Sequence, residues 1–177
     1  MIFRETELPG AFVVEPEPIQ DERGSFARIF DEAEFAERGL DTAFGQWSVS
    51  FNERAGTLRG LHFQREPHAE TKLVRCTRGA LYDVIVDLRP ASPAFRRWTA
   101  VELSAENRFA LYIPKGLAHG FQTLVDETEV AYAISEAYEP ESAGGVRWDD
   151  PAFGIDWPEV NDRMMSEKDR SWPDFTA

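Results

Sequence analysis

The sequence predicts an all-β protein made of two packed sheets, either a double-sheet jelly roll or a small barrel. Eleven prolines and 12 glycines divide the chain into short segments, and most of these segments are typical of extended strands. Only one stretch carries clear helix signals. Many short strands with little helix are characteristic of jelly rolls and small barrels.

The predicted helix begins near residue 31. Asp31 is a candidate N-cap, Glu34 follows at the third position as in a capping box, and Gly39 comes after the last helical residue. We expect Phe35 and Ala36 to face the body of the protein.

Extended segments follow the helix in close succession. They are 44–52, 57–64, 71–77, 80–88, 98–103, 109–113, 121–125 and 129–135. The pair Arg78-Gly79 separates two of them and predicts a tight hairpin. The last forty residues or so are rich in Trp, Pro, Gly and acids, which predicts loops with at most a short helix.

Segment 80–88 alternates strictly between two faces. One face carries Tyr82, Val84, Val86 and Leu88, and the other carries Leu81, Asp83, Ile85 and Asp87. One fully apolar face predicts a sheet that is packed on that side and partly polar on the other.

Composition limits the classes of function. At 177 residues and 20.1 kDa we expect one domain over residues 1–177, with a substantial core. Hydrophobic residues at 42% exclude a disordered chain. The net charge of -13 repels nucleic acid and anionic membranes. An anionic small substrate would therefore need a local cluster of arginine and lysine.

The cellular compartment is predicted from three features. Cys76 is the only cysteine, so no internal disulfide can form and a reducing compartment fits. The first residues are acidic where a signal peptide would be apolar. No apolar stretch reaches the length of about 18 residues that a membrane helix needs. We expect a soluble cytoplasmic protein.

Two histidines and a lysine suggest chemistry. His62 and His119 each lie in a distinctive segment, and Lys72 opens an apolar run between them. A neutral imidazole can take a proton, and a nearby ammonium can hold the negative charge that a carbon acid leaves behind. The combination favours proton abstraction beside a carbonyl group.

The surroundings of each histidine leave a second interpretation open. Gly60 predicts a bulge that would bring Arg59 and His62 to one face. An inert histidine on a half-buried strand is the alternative for His62. His119 follows the turn signal Pro114-x-Gly116, and it could equally be a loop histidine that holds a turn together.

Lys72 would share an inward face with Val74 and Cys76. A buried lysine is costly unless it is paired or used, and Asp83 on the following segment is a candidate partner. The alternative is a lysine at a strand end that reaches solvent.

Two residues complete a possible acid–base set. Tyr132 lies between Val130 and Ile134 on one strand face, and a phenol there could deliver a proton opposite a base. Asp169 could orient an imidazole. Most such tyrosines, Tyr138 included, are core residues, and the charge run around Asp169 could simply be solvated.

A metal site is a weaker interpretation. Pro114-x-Gly116-x-x-His119 resembles the second motif of the cupin superfamily, many of whose members bind a metal. The first motif expects His-x-His, and here its second position is Gln64. With only His62, His68 and His119 in the chain, the ligand set is poor. We expect no metal, with a metallo-oxygenase as the alternative.

Several blocks together resemble the dTDP-4-dehydrorhamnose 3,5-epimerase family. They are 59–64, 72–75, 82–89, 101–107, 113–121, 148–151 and 155–158, in order and along nearly the whole chain. The resemblance implies a cupin-type jelly roll, a homodimer, no cofactor and a nucleotide-sugar substrate.

The resemblance also implies residue roles. His62 would be the general base, Asp169 its orienting partner, and Tyr132 the opposing acid. Lys72 would lie near the ketone oxygen, and Arg59 would contact a nucleotide phosphate. The remaining implied substrate-binding residues are Gln46, His119, Tyr138 and Lys168, together with Arg23 and Phe26, which would reach into the neighbouring subunit's site.

Three departures from the family pattern affect the nucleotide and sugar pockets. Arg28 stands where many relatives have Glu, Ser48 stands where relatives often have Asn, and segment 143–151 differs from the usual motif. Two alternatives remain open: an epimerase acting at C3 or C5 alone, and a non-catalytic cupin that binds a sugar nucleotide.

Overall fold

The computed structural model describes residues 1–176. Over these residues the strands are β1 (Ile2–Glu5), β2 (Phe12–Glu15), β3 (Ile19–Asp21), β4 (Gly24–Phe26), β5 (Gln46–Asn52), β6 (Leu58–Gln64), β7 (Lys72–Arg78), β8 (Ala80–Asp87), β9 (Trp98–Ser104), β10 (Ala110–Ile113), β11 (Leu117–Thr123), β12 (Thr128–Ile134) and β13 (Ala143–Gly145). The helices are α1 (Glu32–Ala36) and α2 (Glu167–Arg170).

Two antiparallel sheets form the body of the protein. The larger has the strand order β1-β2-β10-β7-β12-β5, and the smaller has the order β13-β6-β11-β8-β9. Within the described residues, strands β3 and β4 pair only with each other. The prediction of an all-β, double-sheet jelly roll with a few short helices is confirmed.

The core lies between the sheets. Val74 and Cys76 on β7 meet Leu81 and Ile85 on β8, and Val130 on β12 joins the same buried cluster. Each fully buried aliphatic side chain of this kind stabilises the fold by about 1.5–3 kcal/mol. The alternation along each strand therefore fixes which face points inward.

Both faces of β8 pack against other parts of the protein, so the partly polar face is buried as well as the apolar one. Val84 and Val86 lie beneath Phe153 of the C-terminal segment. The opposite face, which carries Asp83, points between the sheets, and Asp83 is fully buried. Asp83 is bound to His119 in the interior, and Asp87 is bound to Arg89 and Ser92.

The predicted hairpin at Arg78-Gly79 is also wrong. Strand β7 belongs to the larger sheet and β8 to the smaller, so the chain crosses from one sheet to the other here. Gly79 has φ +77°, and a methyl group in its place would lie 2.5 Å from Oγ1 of Thr128. Glycine is required at the crossing for both reasons.

Helix α1 begins where expected. Oδ1 of Asp31 accepts hydrogen bonds from the backbone N–H groups of Ala33 and Glu34 at 3.1 and 3.2 Å. Phe35 is buried as expected, but Ala36, which we also expected to face the body, is exposed. In this helix of five residues only one of the two neighbouring side chains points inward. Within residues 1–176 no helix is long and apolar enough to cross a membrane.

Most predicted strands are present, with two kinds of difference. The predicted segment 121–125 begins earlier, as β11 at Leu117, directly after the turn at Gly116. Five strands were not predicted: β1, β2, β3, β4 and β13. Each has only three or four residues, which is too short to show a clear period of two.

Candidate active site

One cavity of about 510 Å³ opens between the two sheets. Nine of the eleven residues that the sequence predicted line it: Gln46, Arg59, His62, Lys72, His119, Tyr132, Tyr138, Lys168 and Asp169. The C-terminal loops form a larger hollow of about 950 Å³ whose lining includes none of the predicted residues. The smaller cavity is therefore the candidate active site.

An irregular stretch of β6 brings Arg59 and His62 into this cavity. His62 pairs with His119 on β11, whereas Arg59 pairs with Phe121, so the register shifts between them. Gly60 has φ +124°, and a methyl group there would lie 2.5 Å from Cα of Gly120. The bulge that Gly60 predicted is confirmed, and only glycine fits it.

His62 is backed by a buried carboxylate. Nε2 of His62 lies 2.6 Å from Oδ1 of Asp169, which α2 carries. The Gly60 N–H lies 3.4 Å from the other carboxylate oxygen. Burial alone would raise the pKa of Asp169, but the hydrogen bond and charge of His62, together with hydrogen bonds from Gly60 and Ser166, outweigh it, so the pKa is lowered. The His62 side chain remains 43% exposed to the cavity.

Tyr132 enters the cavity from the opposite sheet, on β12. Its hydroxyl group lies 3.2 Å from Oγ of Ser50 on β5. Burial raises the pKa of the Tyr132 phenol well above its ordinary value, with a further rise from the charge of Asp83. The phenol therefore keeps its proton at neutral pH.

Lys72 is buried at the start of β7. Its Nζ lies 2.8 Å from Oε1 of Glu70, and both side chains are nearly nine-tenths buried. The prediction that Asp83 is its partner is wrong. Because β7 and β8 belong to different sheets, Asp83 points to β11, where its Oδ1 lies 2.6 Å from Nε2 of His119.

His119 therefore lies within a strand rather than in a loop, and it is buried. Its ring centroid is 6.3 Å from that of Tyr132. The cavity thus contains two carboxylate–imidazole pairs, and the one formed by His119 is the deeper.

Cationic groups are concentrated at this cavity despite the net negative charge. Arg59, Lys72 and Lys168 line it, and Nε of Arg59 donates to Oδ1 of Asn52 at 2.7 Å. This is the local cluster that an anionic substrate requires. Gln46 and Tyr138 lie at the exposed mouth.

Arg23 and Phe26 are not brought into the cavity of their own chain. They lie on the exposed β3–β4 hairpin, where the Arg23 guanidinium pairs with Asp21. Phe26 is 71% exposed. A contribution of these two residues to a neighbouring subunit stays a prediction.

Sequence reasoning did not single out several of the cavity residues, among them Ser50 and Glu70. Ser50 shares a strand face with Gln46 and Ser48, so the period of two could have indicated it. Glu70 precedes the strand of Lys72 and carries no pattern of its own.

The described residues contain no cluster of three or more His, Cys, Asp or Glu side chains that could hold a metal ion. The Gln64 side chain, at the expected second position of the first cupin motif, is bound elsewhere. It donates to the backbone carbonyl groups of His68 and Ala137 and accepts from the N–H of Glu139.

Fold and cavity together define a cupin-type jelly roll with an acid–base site. The family model described as dTDP-4-dehydrorhamnose 3,5-epimerase matches residues 5–177. A relative of that name from Methanothermobacter thermautotrophicus is 52% identical, over 96% of this chain and 92% of its own. The chain belongs to the dTDP-4-dehydrorhamnose 3,5-epimerase family.

Two solved structures are similar along almost the whole chain. A dTDP-6-deoxy-D-glucose-3,5-epimerase from Legionella pneumophila, in complex with dTDP-4-keto-L-rhamnose, has TM-score 0.90 and 34% identity, covering 99% of both chains. A 3′-monoepimerase from Streptomyces bikiniensis, in complex with dTDP-quinovose, has TM-score 0.89 and 35% identity. It covers 96% of this chain and 85% of its own.

Proposed function

We propose that this protein is an isomerase that inverts C3 and C5 of a dTDP-4-keto-6-deoxyhexose. The observation that carries the proposal is the placement of His62 and Tyr132 on opposite walls of one cavity. His62 belongs to the smaller sheet and Tyr132 to the larger. A sugar ring between them would meet a base on one face and an acid on the other.

The reaction follows from these groups. C3 and C5 are both adjacent to the C4 carbonyl, so each carries an acidic hydrogen. His62 takes that proton, and the electrons of the C–H bond form an enolate whose charge lies on O4. Lys72 stabilises this oxyanion. Tyr132 then gives its proton to the carbon from the other side, which inverts the centre. Base and acid each contribute about 10²-fold or more.

The remaining residues orient and bind. Asp169 holds the His62 imidazole in one orientation and stabilises its protonated form. Arg59 and Lys168 would contact the diphosphate, and Gln46, Tyr138 and His119 would contact the nucleotide and sugar. No step of this chemistry calls for a cofactor or metal.

We further infer a homodimer in which Arg23 and Phe26 complete the partner's site. Support comes from exposed apolar side chains on the β3–β4 hairpin, Ile19 and Phe26, and on the edge strand β5, Trp47 and Val49. Exposed apolar surface of this kind is typical of an interface. Light scattering of the wild type and of a Phe26→Ala variant tests the assembly.

The same proposal includes one domain over residues 1–177 and a cytoplasmic location. The core shared by both sheets supports the single domain. The lone, buried Cys76 is compatible with a reducing compartment.

Turnover of dTDP-4-keto-6-deoxyglucose in D₂O tests the function. We expect deuterium at both C3 and C5, detected by mass spectrometry and NMR. Label at one carbon alone would favour a single-centre epimerase, for which the similar 3′-monoepimerase structure is the supporting observation. If His62→Ala binds dTDP and leaves any measured turnover unchanged, the chain is a non-catalytic sugar-nucleotide-binding cupin.

A further inference from the structure

The short helix α2 depends on its flanks for its position. It has only four residues, Glu167–Arg170, with Ser166 as N-cap. Helices this short are not stable alone. The position of the Asp169 carboxylate relative to His62 therefore depends on how firmly the chain on either side of α2 is held.

The upstream side is fixed by backbone hydrogen bonds. Met164 N–H donates to the carbonyl of Gly56 at 3.1 Å, and the Leu58 N–H donates to the carbonyl of Met164 at 2.8 Å. These bonds attach the chain to the start of β6, five residues before Asp169.

The downstream side is fixed by a side chain. Trp172 lies so close to Gly145 of β13 that a methyl group on Gly145 would be 2.2 Å from Cε2 of the indole. Gly145 is the residue of β13 that pairs with His62 on β6. The indole therefore rests against the backbone directly beside the proposed base.

Two further contacts connect Trp172 to the site without placing it on the cavity wall. Its ring centroid is 6.5 Å from that of His62, edge to face, and Nζ of Lys168 lies 5.5 Å from the indole centroid. The indole N–H is buried without a hydrogen-bond partner among residues 1–176. An unpaired buried donor is unfavourable, so the indole contributes through its shape and position and not through a hydrogen bond.

We propose that Trp172, seated on Gly145, is a positioning residue that holds α2 against β6 and keeps the Asp169 carboxylate on His62. This inference rests on the proposed function, since it assigns Trp172 an effect on the proposed base. Trp172 itself does not line the cavity.

A double-mutant cycle separates positioning from general damage. We expect Trp172→Ala to lower kcat about as much as Asp169→Asn does, and to cause no further loss in the Asp169→Asn background. Trp172→Phe keeps an aromatic ring on Gly145 and should restore most of kcat. Trp157→Ala is the matched control. Trp157 packs on Tyr82 outside the cavity, so its effect should be equal in both backgrounds.

Proton NMR of ¹⁵N-histidine-labelled protein gives a readout that does not need turnover. The hydrogen-bonded ring N–H of His62 should disappear or move in Trp172→Ala and persist in Trp172→Phe. The corresponding signal of His119 with Asp83 is the internal reference and should stay. If Trp172→Ala does not fold, Gly145→Ala provides the same displacement of the indole.

The inference is overturned if the His62 signal survives in Trp172→Ala, or if that variant loses as much kcat in the Asp169→Asn background as in the wild type. A wild type without epimerase activity refutes the proposed function instead. The NMR result would still decide whether Trp172 holds Asp169 in place.

Discussion

Asp83 and His119 form a carboxylate–imidazole pair one strand away from His62. Oδ1 of Asp83 lies 2.6 Å from Nε2 of His119, and Asp83 is fully buried. Its second oxygen has no hydrogen-bond partner among the described residues. The carboxylate therefore depends on one imidazole for its stabilisation inside the protein.

His119→Leu should consequently destabilise the fold by about 3–5 kcal/mol, because it leaves a buried charge unpaired. Urea denaturation of the wild type and the variant measures the difference. Adding Asp83→Asn removes the charge, so the double variant should be more stable than His119→Leu alone. Equal or lower stability of the double variant would contradict this account.

The Asp83–His119 pair could not be predicted from the sequence. Alternation placed Asp83 on the partly polar face of its strand, and in the structure that face points between the sheets. The choice of Lys72 as its partner depended on a hairpin at Gly79, which is in fact a crossing between sheets. Local turn signals do not distinguish the two, because glycine with positive φ serves both.

The site itself was largely predictable by resemblance and only partly from patterns. Gly60 indicated the bulge that brings Arg59 and His62 together, and periodicity placed Tyr132. Contact between His62 and Asp169, 107 residues apart in the chain, has no local signal. The short strands β1 to β4 were not predicted for a different reason, since three or four residues are too few to show a period of two.

Lys72 and Glu70 should respond differently to substitution. Lys72→Met removes the group that stabilises the oxyanion, so kcat should fall by about 10²–10³-fold. Glu70→Gln keeps a hydrogen-bond acceptor for the ammonium but removes a negative charge that opposes the enolate, so kcat should be at least that of the wild type. Steady-state kinetics checks both. A large loss in Glu70→Gln would mean that the carboxylate charge itself is required.

The lowered pKa of Asp169 makes a prediction about stability and pH. A carboxyl group whose pKa is lower in the folded state stabilises that state above its unfolded pKa, about 3.9, and this contribution is lost as the pH falls through the folded pKa. Urea midpoints of the wild type and Asp169→Asn should therefore differ above about pH 4, and the difference should shrink as the pH falls below that value.

His62 supplies the main hydrogen bond that lowers this pKa. In a His62→Ala background, the pH dependence of the effect of Asp169→Asn should become weaker. An unchanged dependence would show that the carboxylate is held by other groups.

Tyr132→Phe should separate proton removal from inversion. Burial raises the pKa of the Tyr132 phenol, so in the wild type it carries the proton that the second face of the carbon receives. Without the hydroxyl group, His62 can still form the enolate but can only return a proton to the face it came from. The variant should incorporate solvent deuterium into the unchanged sugar, while the amount of epimerised product falls by about 10²-fold or more.

Mass spectrometry and NMR in D₂O measure both quantities for Tyr132→Phe. The control is His62→Ala, which lacks the base and should show neither exchange nor inversion. Inversion at the wild-type rate in Tyr132→Phe would show that another acid supplies the proton. Tyr132 would then not be the acid that acts opposite His62.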